Sequence, residues 1–361
     1  MGSFVQAHCS AGVDVVGGRS LRALFRRVAV VAIAGAMGAC GGGGGGSDTP
    51  STPSPSPSPA QAPAPAPTGP IAAQLSVPAP VGYDADRLAA FNRLNEIRVS
   101  AGLGMLAQSA QMDQAAQAHA AWIIANDSFT HEEQVGTPGF TGTNWAQRDE
   151  AFGYVPVEGY EVMAAPVHGA AGVDGLVNTV YHRAAMLAFE PVDVGIGWSA
   201  LAATEVSMPL VIDMTKPASD PVRGLGQIAQ ASIGGVSTWP LANARDVPVR
   251  LGLESPNPVP EQDVQTLGTP ASITVQAEKT IAVTSFVMTD GTTGVVVPTR
   301  ILTNANDPNF FIPGSFVALV PLAALAPNTL YRVAFSGSTT LAPVGTIEVV
   351  NRQWSFTTAA Q

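Results

Sequence analysis

Residues 128–198 decide the fold, because four short segments within them stand out from their surroundings. These are Ser128-Phe129-Thr130-His131, Gly159-Tyr160-Glu161-Val162-Met163-Ala164, Tyr181-His182-Arg183-Ala184-Ala185-Met186-Leu187 and Val194-Gly195-Ile196-Gly197-Trp198. The first three segments carry two histidines and one glutamate between them. Since the whole stretch is shorter than one domain, we expect those side chains to meet in one cleft.

Composition favours an exported protein with linkers. A length of 361 residues predicts two domains with accessory segments. The hydrophobic fraction of 46% is large enough for real cores, and a charged fraction of 12% with 30 prolines and 37 glycines is typical of surface proteins. The formal net charge is −10 and no basic stripe is present. The sequence therefore excludes nucleic acid and anionic lipid headgroups as expected partners.

Residues 19–40 have the pattern of an export signal. Four arginines precede the apolar run Val28–Met37, which is too short to span a bilayer. The sequence Met37-Gly38-Ala39-Cys40 resembles a bacterial lipobox, with Met where Leu is commoner. That resemblance implies cleavage before Cys40 and lipidation of this residue, which would anchor the chain to the cell envelope, in an outer membrane for example. The alternative is an ordinary signal peptide that contains a cysteine.

Two N-terminal segments are predicted to lie outside the folded part. Residues 1–39 form a signal peptide with a long leader, and residues 40–70 form a tether, because Gly and Pro runs cannot build a core. The only cysteines are Cys9 and Cys40, and neither lies in a predicted domain. We therefore expect neither a disulfide framework nor a thiolate metal site.

The first folded domain is predicted to span residues 71–216 with an α+β fold. Asp84 is placed to cap a helix with Leu88, Phe91, Leu94 and Ile97 on one face. Further helices are expected at 109–126 and 173–187, and strands at 192–198 and 205–214. The segment 127–172 is expected to be a long loop. Helices followed by strands indicate helices packed on a sheet.

Several motifs in this domain resemble CAP domains, the superfamily of cysteine-rich secretory, allergen and plant pathogenesis-related proteins. Asn95-Glu96-Ile97-Arg98 looks like the family's opening helix, and Ala118-His119-Ala120 its second helix. Phe129-Thr130-His131, Glu161 and His182-Arg183 are similar to the bacterial branch. The resemblance covers about residues 84–215. It implies a CAP-type α-β-α sandwich with a central cleft, in which some members bind metal and others bind sterols or fatty acids.

The candidate cleft residues are His131, Glu161, His182 and Asp193. Two imidazoles and a carboxylate are able to hold a divalent cation such as Zn²⁺, so His131, Glu161 and His182 are the candidate metal ligands. They are equally able to act as acid and base on water, or to form a hydrogen-bonded cluster that pins the loop 127–172. The sequence departs from the family in having Tyr160 and Val162 around Glu161, and Asp193 where a His is common.

Other polar residues of this domain are expected to be structural or solvated. His119 is placed in the core by its helical spacing, and His168 is expected to be exposed without a partner. Glu132 and Glu133 are expected to be solvated, because adjacent acids usually lie on the surface. Arg183 is expected to pair with a carboxylate or to cap its helix.

The C-terminal third has a different character. Residues 217–260 are rich in Pro and Gly and are predicted to connect the domains or to pack along the second one. Residues 261–361 contain six short apolar runs separated by turns, a spacing typical of an all-β sandwich. The segments 327–333 and 354–358 resemble bacterial immunoglobulin-like modules of surface proteins.

These observations leave three functions open. The first is an exported binding protein, outer-membrane-anchored or extracellular, whose CAP cleft takes a small apolar ligand such as a lipid or sterol, or an envelope or host component. The second is a metal-dependent hydrolase or peptidase that uses the His and Glu cleft. The third is an adhesion or spacer protein. Whether the protein is an enzyme is undecided by the sequence.

Overall fold

The computed structural model describes residues 8–10, 72–199, 208–217, 219–220, 225–226, 230, 235–341 and 345–360. All of them belong to one compact unit. The predicted export signal at 19–40, Cys40 and the tether lie outside the described residues, whereas residues 8–10 of the predicted leader form a strand. We divide the described chain into an α+β region, residues 8–10 and 72–217, and a β region, residues 236–358.

The α+β region is a five-stranded sheet with helices on both faces. Its strand order is β1-β3-β5-β4-β2. Met163 of β3 packs with the second helix, whereas its neighbour Val162 packs with the first helix in a separate cluster. Successive residues of a strand point to opposite faces, so the sheet is covered on both sides and the predicted α+β class is confirmed. The elements are β1 His8–Ser10, α1 Ala85–Ser100, β2 Ala107–Gln108, α2 Ala110–Asn126, α3 Trp145–Ala151, β3 Pro156–Ala164, α4 Gly169–Val177, α5 Tyr181–Met186, β4 Asp193–Trp198 and β5 Leu210–Pro217.

The first two helices begin where the sequence predicts, because each has a local N-cap. The Asp84 carboxylate accepts from the backbone N–H of Arg87, and the Ser109 hydroxyl accepts from that of Met112. Phe91, Leu94 and Ile97 of α1 are buried as expected, but Leu88 is 40% exposed. The predicted apolar face of α1 is therefore wrong at its first position.

Two predictions for the middle of this region are wrong. The segment 127–172 is not one loop, because it contains helix α3 and the strand β3, which carries Glu161. The helix expected at 173–187 is two helices, α4 and α5, with a break at residues 178–180. The break is stabilised by a buried carboxylate, since Glu254 accepts hydrogen bonds from the backbone N–H groups of Val180 and Tyr181 at 2.9 and 2.6 Å.

The β region consists of two four-stranded sheets that enclose one apolar cluster. Their orders are β12-β13-β10-β8 and β11-β14-β15-β9. Residues 217–260 were expected to connect the domains or to pack along the second one. They do more than this, because β8 and β9 from this segment are strands of the two sheets. The remaining elements are β6 Ser219–Asp220, β7 Leu225–Gly226, β8 Val236–Trp239, β9 Ala244–Val247, a 3₁₀ turn Val264–Thr266, β10 Ala271–Val275, β11 Lys279–Asp290, β12 Thr299–Leu302, β13 Phe316–Pro321, β14 Leu330–Leu341 and β15 Thr346–Thr358.

Helix α5 joins the two regions. Val180, Tyr181 and Ala184 pack in one buried cluster with apolar residues of the β region such as Phe316. The Tyr181 hydroxyl donates to the Asp307 carboxylate at 2.6 Å. Because α5 carries His182, the packing of the β region also fixes the position of that predicted site residue.

Candidate functional site

The centre of the candidate site is the carboxylate of Glu161, which is fully buried on β3. Its Oε1 lies 2.7 Å from Nδ1 of His131, and its Oε2 accepts from Nη2 of Arg148 at 2.5 Å. Arg148 comes from α3 and also donates to the backbone carbonyl of His131 at 3.0 Å. Although burial raises the pKa of Glu161, the charge of Arg148, with His119 and His131, brings that pKa well below its usual range.

A second buried pair extends this network towards helix α2. Nδ1 of His119 lies 3.0 Å from the Glu133 carboxylate, and Nε2 of His119 donates to the backbone carbonyl of Thr130 at 3.0 Å. Glu133 also accepts from the backbone N–H of Thr141 at 2.7 Å. Burial raises the pKa of Glu133, but the bonds from His119 and Thr141 outweigh burial and lower that pKa overall. Burial lowers the pKa of His119.

Two more buried carboxyl groups lie in the same network. These are Asp149 on α3 and Asp213 on β5, where Asp213 is the register partner of Glu161. Burial, followed by the charge of Glu161, raises the pKa of Asp149 to about 8 and raises that of Asp213 well above its usual range. Both shifts favour the uncharged form of these groups, so Glu161 is the carboxylate that pairs with the charge of Arg148.

His182 is fully buried and lies against the β region. Its Nδ1 is 3.0 Å from the Thr179 hydroxyl and 3.3 Å from the Glu254 carboxylate. The Thr179 hydroxyl donates its proton to the Leu176 carbonyl at 2.8 Å, so Nδ1 of His182 is the donor in these contacts. The network around Glu161 and the contacts of His182 with Thr179 and Glu254 thus involve different partners.

Asp193 begins β4 and is buried. Its carboxylate accepts from the Tyr154 hydroxyl at 3.0 Å. His168 is also not exposed without a partner, as its Nδ1 lies 2.9 Å from Asp86 and its ring stacks on Trp198 at 4.6 Å.

The expectations for Arg183 and for the adjacent acids need correction as well. Arg183 donates to the backbone carbonyls of Val177 and Pro270, both at 2.7 Å, rather than pairing with a carboxylate. Glu132 is exposed as expected, whereas Glu133 is buried because it binds His119. His119 lies in the core as expected.

The sequence did not reveal Arg148, Asp149, Glu133 or Asp213 as parts of the site. For Asp213 a signal was present, since an aspartate in the otherwise apolar run Val211-Ile212-Asp213-Met214 needs a buried partner or a proton. Arg148 and Asp149 lie on a short helix with ordinary surface composition, and no pattern in the sequence indicates that they turn inward.

The residues in this arrangement do not fit a three-ligand zinc site. Both Glu161 oxygens already bind a nitrogen donor, and one of these donors is a guanidinium, whose charge repels a cation. In the described part of the chain, no three or more His, Cys, Asp or Glu side chains are grouped so that they could hold a metal ion. The zinc ligand set His131, Glu161 and His182 stays a prediction from the sequence.

None of the helices in the described part of the chain has the length and apolar character that crossing a lipid bilayer requires. No curated protein matches the sequence.

Part of the chain is similar to two solved structures of bacterial proteins. One is an outer surface protein from Borrelia burgdorferi, with 18% identity and a TM-score of 0.33, covering 37% of this chain and 96% of that one. Another is an extracellular protein containing a SCP domain from Bacillus anthracis str. Ames, with 21% identity and a TM-score of 0.30, covering 35% of this chain. This chain matches only 39% of the length of the second protein.

One family model matches the segment that contains the whole network around Glu161 except Asp213. It is described as CAP, the cysteine-rich secretory protein family, and it matches residues 91–205. The matched segment includes α1 from residue 91 onward, α2, β3 and β4, and it contains the site residues His131, Glu161, His182 and Asp193. Residues 91–205 of this chain are therefore a CAP domain.

Proposed function

We propose that the protein is an exported, envelope-anchored binding protein, and that the His and Glu residues of its CAP domain stabilise the fold instead of catalysing a reaction. One observation carries this proposal: the Glu161 carboxylate is fully buried, with one oxygen on His131 and the other on Arg148. A carboxylate in that position has the role of a counter-ion. It holds helix α3 and the loop after α2 onto the sheet.

The hydrolase alternative gains no support from these contacts. Metal-assisted hydrolysis requires a metal with three protein ligands and an open position. General acid or base catalysis requires a side chain within hydrogen-bonding reach of a substrate. Glu161 is 0% exposed and His131 is 9% exposed. Nδ1 of His182 already contacts the Thr179 hydroxyl and the Glu254 carboxylate.

The burial of apolar side chains in the CAP domain also affects which class of ligand we propose. A small apolar ligand would need accessible apolar side chains in the CAP domain, and the segment after Tyr154 is rich in apolar residues. Val162 and Met163 are fully buried in the cores on the two faces of the sheet, so they stabilise the fold and do not contact a ligand. Val155 and Val157 remain exposed, at 56% and 42%. We therefore favour an envelope or host component that binds to the outer surface over a lipid or sterol that enters the domain.

Anchoring is part of the same proposal. Cys40 would carry the lipid, and residues 41–70 would hold the folded part away from the bilayer, in an outer-membrane lipoprotein for instance. Fractionation of cells that express the chain checks this part, since Cys40→Ser should move it from the membrane fraction to the soluble fraction. An unchanged distribution would contradict the anchor.

The role of the CAP residues is tested by metal content and stability together. We would purify the full chain with Cys40→Ser, without chelator or affinity metal, and measure zinc by elemental analysis. The same measurements would be made on the double variant His131→Ala/His182→Ala and on Glu161→Gln. We expect no stoichiometric zinc, no rise in Tm on adding zinc, and a lower Tm in both variants. Stoichiometric zinc that the double variant loses would overturn the proposal and favour the hydrolase.

A further inference from the structure

The outer face of the sheet β11-β14-β15 is a regular array of small and polar side chains. Strand register places Ser285 beside Ser336 and Ser336 beside Asn351, so these three form one row across the sheet. Thr289, Arg332 and Ser355 form a parallel row in the same way. Between the two rows lie Val287, Ala334 and Gln353.

These rows point away from the core. Phe286, Val333 and Phe356, which alternate with them along the three strands, are buried in the apolar cluster between the sheets. Arg332, Ala334 and Gln353 are exposed. The side chains in the middle of the face are short, so the face is concave there.

Two adjoining depressions form one open trough along this face. Their volumes are about 400 and about 520 Å³, and both are lined by Ala334 and Gln353. The first contains the Ser285 row and Arg352, and the second contains the Arg332 row and Asn243. An open trough of this kind accommodates a section of a chain molecule, because the ends of the ligand need not be enclosed.

The chemistry of the trough is neutral polar with added positive charge. Hydroxyl and amide groups supply both donors and acceptors, and no residue that lines either depression is an Asp or a Glu. This is unusual in a chain whose net charge is −10. Arg332 donates to the backbone carbonyl of Gly291, which orients its guanidinium group. Arg352 has the buried Phe335 as its register partner, so its side chain points to the opposite face of the sheet and adds no charge to the trough.

Other ligand classes suit this face less well. A peptide strand adds at a sheet edge, through unpaired backbone groups, whereas β14 is hydrogen-bonded on both sides, to β11 and β15. An apolar ligand would find only Val287 and Ala334 as outward apolar side chains in the middle of the trough, although Ile347 and Val349 are exposed further along β15. Nucleic acid requires a denser set of cations than one arginine on an acidic protein.

We propose that this trough binds an extended acidic polysaccharide, such as a polymer of uronic acids. Amide and hydroxyl side chains pair with sugar hydroxyls, and the Arg332 guanidinium pairs with a carboxylate of the polymer. The inference builds on the proposed function, since it assigns the envelope or host component that the anchored protein binds. It places the binding surface on the β region, away from the CAP domain.

The test uses the purified full chain with Cys40→Ser and polygalacturonate as the probe, with dextran as the neutral polymer. Binding is measured by affinity electrophoresis and by isothermal titration at low and high salt. We expect binding to polygalacturonate that weakens with salt, and little binding to dextran. Arg332→Gln, and Ala334→Glu, which puts a negative charge in the trough, should each weaken the Kd at least tenfold.

The matched control is Arg93→Gln, which removes the same charge from helix α1, where Arg93 pairs with Glu96 and Asp174. Circular dichroism of each variant verifies its fold. The inference is overturned if the wild-type chain does not bind polygalacturonate, if dextran binds equally well, or if Arg93→Gln weakens binding as much as Arg332→Gln. These outcomes leave the zinc measurement on the CAP residues unaffected, so the two proposals fail separately.

Discussion

At the scale of single residues, Arg148 lies among four buried acids of the described chain. It bonds Glu161 directly and lies 4.0 Å from Glu133, and the charge of Glu161 acts on both Asp149 and Asp213. Five charged groups in one buried site would be unstable, because burial penalises each charge and like charges repel. The raised pKa values of Asp149 and Asp213 relieve this conflict, because they favour the uncharged form of both groups.

This arrangement predicts a pH dependence for Asp149. Its pKa is about 8 in the fold against a usual 3.8, so the folded state binds a proton that the unfolded state has released between these values. The stability that this proton contributes is complete below about pH 4 and is lost as the pH rises through about 8. Asp149→Asn is neutral throughout. We expect it to match the wild-type free energy of unfolding near pH 4 and to exceed it by about 1–3 kcal/mol at pH 8.

Urea unfolding at several pH values measures this difference. Glu150→Gln is the matched control, because Glu150 is the exposed neighbour on the same helix and should change little with pH. Glu161 and Glu133 have lowered pKa values, so their contribution to the free energy of unfolding rises with pH, opposite to that of Asp149. The variant is therefore compared with the wild type at each pH. A variant that is equally destabilised at pH 5 and pH 8 would show that Asp149 is ionised in the fold.

The sequence predicts only part of this site. His131 and Glu161 were found through a family resemblance, and they do meet at 2.7 Å. Their partner Arg148 was missed, because its inward direction depends on the tertiary placement of helix α3. Glu133 was misassigned for a similar reason: two adjacent acids look alike in the sequence, and only the fold turns one of them towards His119.

At the scale of elements, close contact between helix α2 and strand β4 depends on two glycines. A Cβ added at Gly195 would lie 2.3 Å from the backbone carbon of Met112, and one at Gly197 would lie 2.3 Å from that of Ala116. The helix backbone therefore rests directly on the strand. The Gly-rich motif in the sequence marks this contact.

We expect Gly195→Ala to lower the free energy of unfolding by about 3 kcal/mol, because α2 must move away from the sheet to admit a methyl group. Gly175→Ala is the matched control, as Gly175 lies exposed in helix α4 with no atom within 4 Å of an added Cβ. It should stabilise by about 0.5–1 kcal/mol through helix propensity. Thermal and urea unfolding compare the two variants. Equal stability would contradict the close packing of α2 on β4.

Local signals account for the elements that the sequence predicted well. Helices α1 and α2 have side-chain caps next to clear periodicity, and β4 has a β-branched, Gly-rich pattern. The strand β3 was missed because a glycine and a tyrosine precede Glu161, so the pattern has no regular alternation. The break between α4 and α5 was missed because its cap, Glu254, is more than 70 residues away in the chain.

At the scale of the whole molecule, Glu254 links the two regions. Its buried carboxylate accepts from the backbone N–H groups of Val180 and Tyr181 and lies 3.3 Å from Nδ1 of His182. Around it, α5 packs into the apolar cluster of the β region. Because the same helix belongs to the CAP domain, unfolding one region exposes the apolar surface of the other, and we expect the wild-type chain to unfold in one cooperative transition.

Glu254→Ala should remove this link. It should also leave three buried backbone N–H groups without their acceptor, because the backbone N–H of His182 donates to the same carboxylate at 3.4 Å. We expect a loss of about 3 kcal/mol and separate transitions for the two regions. Hydrogen exchange in increasing denaturant distinguishes β5 from β14. Glu261→Gln is the control, since Glu261 is an exposed acid of the same segment. If Glu254→Ala still unfolds in one transition at the wild-type midpoint, apolar packing alone couples the regions, and His182 has no part in joining them.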